Sequence, residues 1–89
     1  MINEVEIMRP RAVVVEPGEN FTLKVGFNNG ETRIFDVKPY LHGGWFSQLK
    51  DAGVFNTVHA AGLSIEWDGG QDICPDRLYY DSVPVTTGI

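Results

Sequence analysis

The chain has 89 residues, a formal net charge of −5 and a hydrophobic content of 43%. This length suits one domain and is too short for two, and the hydrophobic content argues against disorder. The seven basic residues are scattered along the chain. Because phosphate backbones are bound by clustered Lys and Arg, direct binding of nucleic acid is disfavoured.

Membrane insertion and secretion are also disfavoured. The longest apolar runs, such as residues 12–15, fall far below the ~20 residues that a membrane-spanning helix needs. Residues 1–4 include an acid where a secretory signal carries positive charge. Cys74 is the only cysteine, so no internal disulfide can form, which is typical of a reducing compartment. We therefore expect a cytoplasmic protein with no membrane association.

Three strands are predicted in the first half of the chain. Residues 12–15 form a β-branched run bounded by prolines, which is typical of a strand. Residues 21–27 alternate between apolar and polar with the two-residue period of a half-buried strand. Asn28, Asn29 and Gly30 then provide turn chemistry. Residues 31–37 return as the partner strand of a hairpin.

The register of this hairpin has two solutions. A two-residue loop, residues 29–30, sets Leu23 opposite Asp36, whereas a three-residue loop ending at Gly30 sets Leu23 opposite Phe35. A slip of one residue moves every side chain to the other face of the sheet. The apolar match therefore favours the three-residue loop with a glycine bulge.

A similar pattern returns forty residues later. The sequence L-x-V-x-F-x-x-G-E at 23–31 is echoed by L-x-I-x-W-x-x-G-Q at 63–71, and D-V-K-P at 36–39 by D-I-C-P at 72–75. Duplication and the general likeness of hairpins both account for this echo. The second copy reaches its proline four residues sooner, so its returning strand is shorter. Either way, two hairpins have apolar faces that need cover.

Short helices are predicted to cover these faces. Residues 45–51 place Phe46 and Leu49 on one side of a helix that Gly53 would end. Residues 58–60 then add a short strand. A second helix starts near Pro75, a favoured first helical residue, and Leu78 would face inward. We therefore predict a single small two-layer α+β domain over 1–89, with extended or frayed tails at about 1–9 and 83–89.

The second hairpin and helix carry a more specific signal. The stretch W-x-x-G-x-D-I-C-P-D-x-L-Y at 67–79 resembles the signature of a bacterial family, the domain of unknown function 2442, and the likeness covers nearly the whole chain. The turn residues Asp68 and Gly69 depart from the family, in which many members carry Pro-Asn or similar residues there. The resemblance implies a two-layer α+β fold and no established activity.

The resemblance also implies a partner. Genes of this family often lie beside a second small family of unknown function, in pairs that look like toxin–antitoxin modules. By analogy, the chain would be the antitoxin-like half, and its partner a small toxin-like protein encoded nearby. A homodimer is an alternative assembly.

Acidic residues offer the main candidates for chemistry. Asp72, with Asp76, could act as a general base or a ligand, but a carboxylate before a proline-initiated helix is more typical of one that accepts backbone N–H groups. Asp68, Asp72 and Asp76 recur every four residues, yet a calcium loop needs closely alternating oxygen ligands. We therefore expect no metal and no cofactor.

The other polar candidates are isolated. His42 and His59 have no cysteine or acid near them at metal-binding spacing, and Cys74 is interpreted as a small buried residue. The alternative function is therefore a small enzyme of unknown substrate that uses Asp72, Asp76 or His59.

Aromatic residues point to binding. Phe27, Trp45 and Trp67 could all cap the core, but Trp45 is the best candidate for a surface anchor because Phe46 already serves the inner face of its helix. The main hypothesis is thus an acidic, non-enzymatic protein-interaction module with a small basic protein partner. Its predicted interaction surface comprises Trp45, Trp67, Asp68, Asp72, Asp76 and Tyr79.

Overall fold

An antiparallel sheet of four strands, in the order β1-β2-β3-β6, forms one layer of the fold. A computed structural model of the protein describes residues 10–85; residues 1–9 and 86–89, which include most of the predicted tails, lie outside the described part. A second, two-stranded sheet pairs β4 with β5. The strands are β1 (Ala12–Pro17), β2 (Thr22–Phe27), β3 (Thr32–Asp36), β4 (His59–Ala61), β5 (Ser64–Glu66) and β6 (Val83–Pro84).

Short helices connect the strands and cover the inner face of the larger sheet. The α-helices are α1 (Ala52–Phe55) and α2 (Pro75–Tyr80), and the 3-10 helices are Glu19–Phe21, Lys38–Tyr40 and Gly44–Lys50. Two sheets of antiparallel strands with separate short helices make this a small α+β domain, as predicted. No helix within residues 10–85 combines the length and apolar character that crossing a membrane requires.

The first hairpin has the predicted three-residue loop. Leu23 lies opposite Phe35, and the Phe27 N–H donates to the Glu31 carbonyl at 2.9 Å. Gly30 has a φ of +92°, which places it in the left-handed region that a glycine bulge needs. The apolar match between the strands therefore identified the register correctly.

The second turn repeats this geometry. The Trp67 N–H donates to the Gln71 carbonyl at 2.9 Å, and Gly70 has a φ of +97°. The returning segment is shorter than a strand, because only a single bridge, Glu66 to Asp72, follows the turn. The main partner of β5 is instead β4, which precedes it and begins one residue later than the predicted 58–60 strand.

The helical region around residue 50 differs from the prediction. Leu49 is buried and Phe46 half-buried, as expected, but they belong to a 3-10 helix, Gly44–Lys50. Gly53 does not end this helix. Asp51 ends it in an extended conformation and caps α1, accepting hydrogen bonds from the N–H groups of Gly53 at 2.8 Å and Val54 at 3.4 Å.

The helix α2 forms where the sequence placed it. Pro75 occupies its first turn and Leu78 is completely buried. The chain then returns to the sheet, where Val83 pairs with Ile34 and Pro84 with Arg33. The first residues of the predicted C-terminal tail are thus an extended edge strand.

The core lies between the inner face of the larger sheet and the β4–β5 layer. It contains Leu23, Val25 and Phe35 from the sheet, with Ile65 and Trp67 from β5 and its turn. The indole of Trp67 is fully buried, and its N–H donates to the Phe55 carbonyl at 3.0 Å. Each of the two glycine turns thus directly follows a core aromatic residue, Phe27 in the first case and Trp67 in the second.

Candidate functional site

An open groove of about 810 Å³ lies between the end of β3, the following 3-10 helix and the start of α2. The residues on its apolar floor and walls are Phe35, Pro39, Tyr40, Phe46 and Ile73. Segments that are distant in the sequence, 35–40, 46 and 72–81, therefore build the groove together.

Charged side chains surround this floor. The groove is also lined by Asp36, Asp72, Cys74, Arg77 and Asp81. Asp36 pairs with Lys38 at 2.9 Å, and Asp81 pairs with Arg77 at 3.1 Å. The Lys38 ammonium lowers the pKa of Asp36, and the Asp81 carboxylate raises that of Arg77. Lys38 and Arg77 thus balance two of the three groove carboxylates, and the charge of Asp72 remains.

Asp72 differs from the other two carboxylates. Its side chain is exposed, and its carboxylate makes no hydrogen bond or ion pair with any residue in the 10–85 range. The prediction that it caps the second helix is wrong: Cys74 occupies the cap position, and no side chain caps the helix there. Asp72 pairs instead through its backbone with Glu66, which leaves its carboxylate available at the groove.

Cys74 is also placed differently from the prediction. Its side chain is exposed and lines the groove, so it is not a buried filler. The preceding Ile73 takes the buried position, with a relative exposure of 3%, and the Ser64 hydroxyl donates to the Ile73 carbonyl at 2.6 Å. Cys74 is thus the exposed N-cap residue of α2, and Ile73 fills the core position beside it.

A run of aromatic rings connects the groove to the surface. Ring centres are 5.7 Å apart for Phe35 and Tyr40, 6.1 Å for Tyr40 and Phe46, and 6.0 Å for Phe46 and Trp45. Burial raises the pKa of Tyr40. The first ring is in the core, whereas Trp45 keeps 52% of its surface exposed. Trp45 therefore extends the groove floor to an exposed aromatic surface.

Trp45 lies over the second glycine turn. A Cβ atom added at Gly70 would be 3.2 Å from Cζ2 of the indole, so the ring contacts the turn backbone directly. The Trp45 carbonyl accepts a hydrogen bond from Nε2 of Gln71 at 3.0 Å. Gln71 is fully buried and also donates to Oε1 of Gln48 at 3.1 Å. The buried Gln71 thus holds the backbone of Trp45, and the Gly70 turn supports the ring of a residue that remains half exposed.

The other predicted surface residues have different environments. Asp68 and Asp76 are exposed, the first in the turn and the second in the first turn of α2. Trp67 cannot belong to a binding surface, because it is fully buried. The sequence favours Trp45 over Trp67 as the surface anchor, because Phe46 already serves the inner face of the same helix, and the exposures of the two residues agree with that choice.

Tyr79 is half-buried and serves mainly as a link between α2 and the first hairpin. Its hydroxyl donates to the Glu31 carboxylate at 2.9 Å, and its ring packs edge-to-face on Phe27 with centres 5.1 Å apart. Arg33 lies over the ring at 4.4 Å and donates to Glu31 at 2.8 Å. Hydrogen bonds from Arg33 and Tyr79 lower the pKa of Glu31, and the carboxylate raises that of Tyr79.

His59 belongs to a separate surface cluster. Its Nδ1 lies 3.0 Å from the Thr57 carbonyl and its Nε2 3.2 Å from the Glu66 carboxylate. Only the imidazolium can donate from both nitrogens, and the pKa of His59 is accordingly raised by the Thr57 carbonyl and by Glu66. His59 does not line the groove that contains Asp72. The groove therefore contains Asp72 but not His59, although the enzymatic alternative named both residues.

The acidic residues do not form a metal site. Within residues 10–85, no three side chains of His, Cys, Asp or Glu are placed to share a metal ion. This includes Asp68, Asp72 and Asp76, whose four-residue spacing raised the question of calcium. A turn and a helix start separate these three residues in the fold.

Sequence reasoning missed most of the groove. The predicted site residues did not include four residues that line the groove, because no local motif marks them as functional. These four are Asp36, Tyr40, Arg77 and Asp81. One signal did mark the place: the echoed segments D-V-K-P at 36–39 and D-I-C-P at 72–75 both contribute lining residues to this groove.

Comparisons with known proteins identify the family and nothing narrower. Searches of curated proteins and of solved structures each found no match. A family model described as "Protein of unknown function (DUF2442)" matches residues 12–84, which span all six strands and both α-helices. The chain therefore belongs to the DUF2442 family.

Proposed function

We propose that the domain is a non-enzymatic protein-interaction module that binds a small protein partner through the face that carries Trp45. One observation carries the proposal: Trp45 is 52% exposed, yet its indole lies against the Gly70 turn and its backbone carbonyl accepts a hydrogen bond from Gln71. A fixed aromatic side chain loses little conformational entropy on binding, and such residues dominate the binding free energy of protein interfaces.

The family resemblance suggests the kind of partner. The chain would be the antitoxin-like half of a two-gene module in the bacterial cytoplasm, and it would act by covering the functional surface of the neighbouring protein. The net charge of −5 supports a basic partner, because opposite net charges accelerate association. The single thiol suits a reducing compartment.

The test is to co-express the chain with the product of the adjacent gene. We expect the two proteins to co-purify as a stable complex, and the chain to restore growth of cells that the partner inhibits. The proposal is wrong if no complex forms and the neighbouring protein has no effect on growth.

A matched pair of variants tests the role of the indole. Trp45→Ala should weaken the complex by about 2 kcal/mol, or roughly thirtyfold in Kd, as expected for a central interface aromatic. Val14→Ala is the control, because Val14 is equally exposed at 53% but lies on the outer face of the sheet. Thermal unfolding of both variants should show an intact fold. Equal affinities of the two variants would contradict the assignment of Trp45.

A further inference from the structure

We infer that the groove beside Trp45 binds an extended segment of a protein partner in which a large apolar side chain lies next to an arginine or lysine. This inference rests on the proposed function and specifies the chemistry of the partner. It follows from three properties of the groove: its apolar floor, its charge and its continuity with Trp45.

The floor requires an apolar occupant. The half-buried rings of Tyr40 and Phe46 present apolar surface to a space of about 810 Å³ that is open to solvent. Covering such surface is favourable by about 25 cal/mol per Å² of apolar area removed from water. Tyr40 and Phe46 also contact each other and so form a continuous floor. A large aliphatic or aromatic side chain fits this floor better than a polar one.

The charges of the groove favour a cationic group next to the apolar side chain of the ligand. Two groove carboxylates, Asp36 and Asp81, already have basic partners at 2.9 and 3.1 Å. Asp72 has none within the described part of the chain, so it would attract an external ammonium or guanidinium group. The long stem of such a side chain can also cover apolar surface, and an arginine can stack on aromatic rings.

The shape of the groove favours an extended peptide segment over a small molecule as its ligand. The groove is open along one side, and its floor continues through Phe46 to Trp45, with ring centres 6.0 Å apart. An extended peptide could thus place a basic residue at Asp72, its apolar neighbour on Phe46 and a further residue against Trp45. Each contact alone is modest, and together they define the sequence that the partner presents.

Cys74 provides a built-in reporter for the test. It is exposed, lines the groove and is the only cysteine of the chain. The rate of its alkylation by iodoacetamide, followed by intact mass spectrometry, should fall as the groove fills. The first probe is an acetylated, amidated five-residue peptide with phenylalanine between two arginines. Two control peptides carry glutamates in place of the arginines, or glycine in place of the phenylalanine.

We expect only the basic–aromatic peptide to protect Cys74, with the rate halved when the peptide concentration equals the dissociation constant, and with weaker protection at high salt. Asp72→Asn should weaken this binding about threefold, in the range of an exposed ion pair. Glu16→Gln removes the same charge from the outer face of the sheet and should leave the affinity unchanged. Failure of protection, equal protection by all three peptides, or an unchanged affinity of Asp72→Asn would overturn the inference.

The alkylation rate of Cys74 also shows whether this inference or the proposed function has failed. If the complex with the neighbouring protein forms and Cys74 alkylates at its free rate, the partner binds elsewhere and the groove assignment is wrong. If the peptide protects Cys74 and no partner protein binds the chain, the groove chemistry is correct and the antitoxin-like function is wrong.

Discussion

Gly30 and Gly70 are equivalent residues in turns of the same geometry, with φ angles of +92° and +97°. They differ in their surroundings. A Cβ atom at Gly30 would meet nothing within 4 Å, whereas one at Gly70 would be 3.2 Å from the ring of Trp45. The first glycine is therefore needed only for its backbone conformation. The second also permits the indole to lie close to the chain.

This difference predicts unequal effects of the same substitution. Gly30→Ala should lower the free energy of unfolding by about 1–2 kcal/mol, the cost of a left-handed conformation for a residue with a Cβ atom. Gly70→Ala should cost more, because the methyl group displaces the indole. Urea unfolding measures both values, and the indole N–H resonance of Trp45 should shift only in Gly70→Ala. In a Trp45→Ala background the two costs should become equal; a difference that persists there would contradict this explanation.

At the scale of elements, one network joins α2 to the first hairpin. Glu31 follows the hairpin turn and binds both Arg33 and Tyr79, while Arg33 donates to the hydroxyl and the carbonyl oxygen of Ser82 at 2.7 and 2.8 Å. These bonds attach the end of α2 to β3, and the chain then continues from α2 into β6, which also pairs with β3. Tyr79 is the tyrosine of the family signature, and these contacts explain it as a packing residue.

This network should make stability depend on pH. The pKa of Glu31 is lowered in the folded state by Arg33 and Tyr79, so its contribution is present above the ordinary pKa of 4.5 and is lost as the pH falls through the folded value. In urea unfolding, Glu31→Gln should be less stable than the wild type at pH 7, and the difference should shrink below pH 4.5. Tyr79→Phe, which keeps the Arg33 pair, should show a smaller version of the effect. A difference that stays constant down to pH 3 would contradict this role for Glu31.

Local patterns predicted some elements well and others poorly. The register of the first hairpin followed from the match of Leu23 with Phe35, because alternation and turn chemistry agree there. The end of the helix near Gly53 was mispredicted, because the cap formed by Asp51 outweighed the glycine signal. The second glycine turn forms as predicted, and its returning strand, predicted to be short, is reduced to a single bridge at Asp72. The sequence did not indicate that β5 pairs mainly with β4.

The groove belongs to the scale of the whole molecule. Its lining comes from residues 35–40, 46 and 72–81, and only the tertiary fold brings these segments together. The sequence indicated Trp45 and Asp72 individually, but it could not show that Trp67 is buried or that Cys74 is exposed. These outcomes depend on which side of each segment packs against the core. The central claim is that Trp45 and the groove form one binding face.

The most direct test is an NMR titration of the isotope-labelled domain with the protein encoded by the adjacent gene. The account predicts that the largest shifts occur in the backbone amides of residues 45–46 and 72–74 and in the indole N–H of Trp45. Resonances of the outer sheet face, such as those of Val14 and Lys24, should stay in place. Shifts confined to that outer face, or the absence of any shift at saturating partner, would contradict the account.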